Sequence, residues 1–173
     1  MDLAEQARRA YELGRLRTAL RLGLFVPLLT ALSICGCGSV LGSLVCGGLL
    51  APVVVFFGWK GQGLGRAVLP GVLAGLAPFT IALGAGLSGH ACATGGWCTF
   101  FIGACLIGGF VAGLFVASAA RGSIRQLLAG ALLAGLTGSL GCLVAGATGV
   151  IALSAGLLLG AVPAFVLRPR TQS

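Results

Sequence analysis

The stretch AVLPGVLAGLAPFTIALGAGLSGHACATGGWCTFFIGACLIGGFVAGLFVASAA, residues 67–120, decides the fold, because it contains no Asp, Glu, Lys or Arg and lies between Lys60/Arg66 and Arg121/Arg125. One bilayer crossing takes about 20 apolar residues at a rise of about 1.5 Å each. The stretch is too long for one crossing and suits two, which return the chain to the side it left. Leu22–Trp59 and Gln126–Leu167 are also free of charge and long enough for two crossings each. All eleven Lys and Arg residues then fall on one face, in four clusters: Arg8, Arg9, Arg15, Arg17 and Arg21; Lys60 and Arg66; Arg121 and Arg125; Arg168 and Arg170. An excess of basic residues marks the cytoplasmic side.

The expected fold is therefore all-α: an integral membrane bundle of six helices in three hairpins, preceded by a short amphipathic helix. The expected boundaries are a cytoplasmic arm at 1–21, a six-span domain at 22–167 and a cytoplasmic tail at 168–173. The bacterial inner membrane is the expected location, with both termini cytoplasmic. The composition agrees, with 58% hydrophobic and 8% charged residues and a mean hydropathy of +1.10, values foreign to a water-soluble domain. The net charge of +8 does not point to nucleic acid. The basic residues flank apolar spans and form no single patch with interleaved aromatics. Anionic lipid headgroups are the partner such juxtamembrane clusters suit.

Within the arm, Leu3, Ala10, Leu13 and Leu20 share one helical face beside Leu16 and Ala19, with acidic residues early and arginines late, as the helix dipole favours. The arm reads as an interfacial helix on the inner leaflet or as a docking helix for a cytoplasmic protein. Its length and its acidic residues separate it from a cleaved signal peptide, so the first span is read as retained. Expected spans are 22–36, 40–58, 67–88, 98–120, 126–145 and 149–167. Tight turns are expected at Gly36–Ser39 and Gly146–Gly149, and one real outer loop at Gly89–Trp97.

Glycine is tolerated in lipid mainly where backbones approach closely. Among the 31 glycines, Gly71 and Gly75, Gly109 and Gly113, and Gly156 and Gly160 form pairs four residues apart. They are candidate helix-packing positions, within the bundle or between protomers of a homo-oligomer. Arg66-Ala-Val-Leu69 with Leu73-Ala-Gly-Leu76 resembles Arg125-Gln-Leu-Leu128 with Leu133-Ala-Gly-Leu136, the pattern of a duplicated hairpin in parallel orientation. Ser and Thr in the spans, Thr30, Ser43, Thr80, Ser118, Thr137 and Ser154 among them, are expected to bond back to their own helices.

On this topology all seven cysteines fall in the outer half. Cys35, Cys37, Cys92 and Cys98 sit at the outer ends of spans, while Cys142, Cys46 and Cys105 lie ~6, ~9 and ~12 Å below the nearest outer turn at the helical rise. The sole histidine, His90, joins them. Three chemistries are open. Outer thiols can oxidise to staples, with Cys92 and Cys98 able to close the loop and Cys46, Cys105 and Cys142 left as small apolar packing residues. Alternatively, Cys35, Cys37, His90, Cys92 and Cys98 offer thiolate and imidazole ligands suited to zinc or copper, as a metal or redox sensor. Catalytic thiol–disulfide exchange is the third, although Cys35-Gly-Cys37 departs from a C-x2-C pair and no outer Lys or Arg would lower a thiol pKa. All three acidic residues lie within the first twelve positions, so no carboxylate serves a proton or ion path, and no catalytic triad can be assembled.

The span count, the tiny loops, the charged arm and the outer group His90, Cys92 and Cys98 resemble the small six-span bacterial membrane regulators that hold a sigma factor at the inner face and respond to envelope stress. That resemblance implies a non-enzymatic regulator or sensor with Arg8–Arg21 as the docking surface and the cysteines as the input. A small channel or carrier on a glycine-rich bundle, and a membrane thiol–disulfide oxidoreductase, are the other functions the sequence accommodates.

Overall fold

A computed structural model describes residues 3–37, 40–60, 65–87, 97–120 and 123–167. These form helices α1 (Leu3–Gly23), α2 (Phe25–Cys37), α3 (Val40–Lys60), α4 (Gly65–Leu87), α5 (Trp97–Ala119), α6 (Ile124–Cys142) and α7 (Gly146–Val166), with a single 3-10 turn, Leu143–Ala145, between the last two. In hydrocarbon each backbone N–H and C=O must find its partner within the protein, and a helix supplies one locally. Six segments are long and apolar enough to cross a bilayer: Ala10–Cys35, Val40–Trp59, Ala67–Gly84, Phe101–Ala119, Ile124–Cys142 and Gly146–Ala164. The protein is thus an all-α, six-span membrane bundle.

The bundle is lined inside and out by apolar side chains. Phe25, Leu41, Leu69, Ile107, Leu128 and Ile151 are exposed on its periphery, a pattern that water would penalise and lipid accepts. Its interior holds three groups of buried residues, and α6 contributes to all of them: Leu127 and Ala134 to one, Leu133 and Leu140 to the second, and Cys142 to the third. Helix α6 is the central element around which the others pack.

Matching helices of the second and third hairpins lie side by side, α4 along α6 and α5 along α7, and these are the most extensive contacts in the molecule. Gly71 faces Gly130 and Leu133, and Gly75 faces Ala134 and Thr137; Gly109 faces Leu153 and Leu157, and Gly113 faces Leu157 and Ala161. Residue numbers rise together on both partners, so each pair is parallel. This stacking is the arrangement a parallel repeat would produce.

The first hairpin differs from the sequence expectation at its start. The helix does not stop at residue 21: Leu24 N donates to Leu20 O at 3.0 Å across the α1–α2 junction. The junction has a local cause in Pro27, which has no N–H to give to Gly23 O and whose ring presses on that carbonyl. Helix α2 begins directly after the junction, at Phe25. Ala19 meets Gly58, Gly23 meets Val55 and Thr30 meets Gly47, so the C-terminal end of α1 and the whole of α2 form one antiparallel partner of α3. Of the expected arm face, Ala19 is buried, whereas Leu13 and Leu20 are exposed.

The third hairpin also turns earlier than expected. The chain reverses over Leu143–Gly146, three residues before the anticipated centre, because Gly146 adopts φ +71°, a conformation glycine enters freely. The tight turn anticipated at Gly36–Ser39 and the loop at Gly89–Trp97 fall largely outside the described residues.

Candidate functional site

Helices α2, α3, α5 and α6 bring their cysteines to the end of the bundle opposite the arm. Cys35, Cys46, Cys105 and Cys142 are free thiols there. Cys35 is exposed on the last turns of α2, while Cys46 is half-buried on α3. Ser139 Oγ of α6 stands 3.7 Å from Cys46 Sγ and donates to Leu136 O at 2.9 Å. One turn further along α6, Cys142 packs in one buried cluster with Cys105 of α5.

The Cys105–Cys142 contact is enclosed by Ala152 and Leu153, with Ile102 and Val150 packed alongside. Cys105 is 3% exposed and Cys142 0%. These thiols come from different hairpins, so their contact is a tertiary feature. A thiol is a weak donor and a weak acceptor, and burial in apolar surroundings leaves each with the other as its natural partner. Joining them covalently would tie the second hairpin to the third.

Of the residues the sequence singled out, Cys35 is placed on α2, and Cys37 and Cys98 belong to the ends of α2 and α5, their side chains lying outside the described residues. His90 and Cys92 fall outside the described residues altogether. Among the described residues no three His, Cys, Asp or Glu side chains come together in a way that could hold a metal ion. Cys105 and Cys142, read from the sequence as packing residues, form the thiol contact described. Their shared placement in the outer half of the spans was the available signal, but nothing in the sequence states that α5 and α6 touch.

A second polar feature stitches the first hairpin to α6. Ser33 Oγ of α2 donates to Leu140 O at 2.6 Å and lies 2.9 Å from Ser43 Oγ of α3. A serine hydroxyl has one proton, so with Ser33 donating to the carbonyl, Ser43 donates to Ser33. Both serines are fully buried. Thr30, Thr80, Ser118 and Ser154 bond to carbonyls of their own helices, as expected of hydroxyls in a span. Ser43 and Thr137 depart from that expectation: Ser43 is taken by Ser33, and Thr137 Oγ1 is buried with no partner.

At the opposite end, Arg17, Arg21 and Arg125 are exposed, and Arg21 occupies the last turn of α1. No family model, curated protein or solved structure matches the chain.

Proposed function

We propose that the protein is a non-enzymatic, membrane-embedded regulator or sensor, with its thiols as input and its basic arm as output. The observation that carries this reading is the Cys105–Cys142 contact, which puts two oxidisable groups of separate hairpins against each other at one end. Helix α3 links the two ends, because it holds Cys46 and, near its other terminus, packs Gly58 and Val55 against Ala19 and Gly23 of the arm. The four basic clusters support a cytoplasmic placement of the arm and the tail, and a bacterial inner membrane is the setting that fits. In that orientation the thiols lie buried in the half of the bundle nearer an oxidising compartment.

The input step is a two-electron oxidation by a peroxide. One thiol becomes a sulfenic acid with release of water, and the other thiol displaces a second water to form the disulfide. The arm, residues 2–21, then presents a changed surface to a cytoplasmic protein, in the manner of the six-span regulators that hold sigma factors. The channel or carrier reading has less support, because the bundle interior is filled by Phe79, Leu50, Leu133, Leu140 and Leu153, each under 2% exposed or at 2%. Zinc or copper at the outer Cys/His group, and a Cys92–Cys98 staple, are separate chemistries that the same thiol assay distinguishes.

The test uses membranes carrying the full chain, treated with hydrogen peroxide and then labelled with a mass-tagged maleimide. Peroxide should remove two labels, at Cys105 and Cys142, and a reductant should restore both. Limited trypsin cleavage at the arm arginines should change in rate between the two states, and Cys105→Ser should abolish the change. Full labelling of both cysteines after peroxide, or identical arm cleavage in the two states, refutes the reading.

A further inference from the structure

Two cavities adjoin at the arm end of the first hairpin. One, of about 390 Å³, lies beside Tyr11, Thr18 and Leu22 of α1 and reaches Gly58 and Gly65 at the facing ends of α3 and α4. The other, of about 230 Å³, sits deeper in the span, among Val26, Leu50, Val54, Val68 and Val72, and is also bordered by Leu22. Leu22 separates the two. The shallow cavity has hydroxyl groups on its wall, and the deep one is walled by hydrocarbon side chains alone. Water gains nothing in such an apolar space, whereas an alkyl chain fills it with favourable contacts.

Charge sets the other half of the ligand. Arg17 and Arg21 are exposed and four residues apart on one face of α1, next to the lining positions Thr18 and Leu22. Guanidinium forks suit phosphate oxygens, and basic pockets between spans are natural sites for anionic headgroups. We infer that the paired cavities form a site for one anionic phospholipid, its headgroup at Arg17 and Arg21 and one acyl chain in the cleft between α2, α3 and α4. Lipid bound there bridges the arm and the first hairpin to α4, filling a gap that side chains leave open.

The experiment is native mass spectrometry of the full chain, delipidated in detergent and titrated with dioleoyl phosphatidylglycerol or dioleoyl phosphatidylcholine. One phosphatidylglycerol should bind per protein, about tenfold or more tighter than phosphatidylcholine, since each juxtamembrane arginine contributes on the order of 1 kcal/mol toward an anionic lipid. Replacing both exposed arginines, Arg17→Gln with Arg21→Gln, should lower phosphatidylglycerol to the phosphatidylcholine level. Val72→Phe, which fills the cleft from a half-buried position, should weaken both lipids together. Equal affinity of the two lipids for the unaltered chain overturns the inference, as does unchanged phosphatidylglycerol binding in the double arginine variant.

Discussion

The second and third hairpins are held together backbone to backbone, while the two limbs of the first meet through side chains. In α5 and α7 the carbonyl oxygens of Leu153 and Leu157 stand where Gly109 and Gly113 would carry a Cβ, and those of Leu106 and Phe110 stand where Gly156 and Gly160 would. That is the geometry of close helix approach with Cα–H···O contacts. In the first hairpin the equivalent neighbours of Gly23, Gly47 and Gly58 are the side chains of Val55, Thr30 and Ala19. Ser33 and Ser43 join the same two limbs, and Ser33 ties them to α6 through Leu140 O. Lipid tails are as apolar as leucine, so burial drives neither interface, and the shape and polarity of each contact decide its strength. The lesson is that one bundle contains a rigid four-helix block and a more adjustable helical pair carrying the arm.

The largest effect should come from adding a methyl group inside the block. Gly156→Ala places its Cβ on Leu106 O, and neither helix can yield without moving backbone. Overpacking of this kind costs about 1–3 kcal/mol, read as earlier unfolding in an SDS titration from mild detergent. Gly58→Ala, which meets the Ala19 Cβ at 3.0 Å, should cost less, because the arm can shift outward. Gly135→Ala, with nothing within 4 Å, is the control and should cost nothing. Equal losses at Gly156 and Gly58 would erase the distinction between block and hairpin.

These glycines also mark what the sequence could and could not say. Charge-free stretches between basic clusters specify spans because the bilayer enforces helices of fixed length, and the small-residue pairs at Gly71/Gly75, Gly109/Gly113 and Gly156/Gly160 lie at the α4–α6 and α5–α7 contacts. Which helix meets which was not written in the spacing, since every span is apolar on all sides. The Cys105–Cys142 contact was missed for that reason. Ser33 and Ser43 are a contrasting case: they stand five residues either side of Gly38, a symmetry that a tight hairpin turns into contact. The expected arm end at residue 21 lies within two residues of the end of α1 at Gly23, and the bond from Leu24 N to Leu20 O leads the chain directly into α2.

A smaller effect is expected at the serine stitch. Interhelical hydrogen bonds in membrane proteins contribute about 0.6 kcal/mol on average and at most about 1.7. Ser33→Ala removes both bonds, to Leu140 O and to Ser43 Oγ, whereas Ser43→Ala removes one and leaves the 2.6 Å bond to Leu140 O in place. Ser33→Ala should therefore destabilise more than Ser43→Ala in the same SDS titration, and the double variant should match Ser33→Ala alone. Additive losses would mean that Ser43 has a partner of its own and that the first hairpin is attached by a different contact.

The smallest effect, and one of opposite sign, is expected at Thr137. Its hydroxyl is buried without a partner at the α4–α6 contact, where a Cβ built on Gly75 would approach the Thr137 Cβ to 2.6 Å. The Cβ packs against α4, and the oxygen is unsatisfied. Thr137→Val keeps the shape and exchanges an unpaired hydroxyl for a methyl, removing a group whose burial costs about 1–3 kcal/mol when unbonded. Stability should hold or rise by up to about 1 kcal/mol, even though the substitution lies inside the tightest part of the molecule. Thr137→Ala should instead lose stability, because it opens a void between α4 and α6. A loss in the valine variant comparable to that in the alanine variant would show that the hydroxyl is engaged, and would move the polar part of this bundle from the serine stitch into the glycine-packed block.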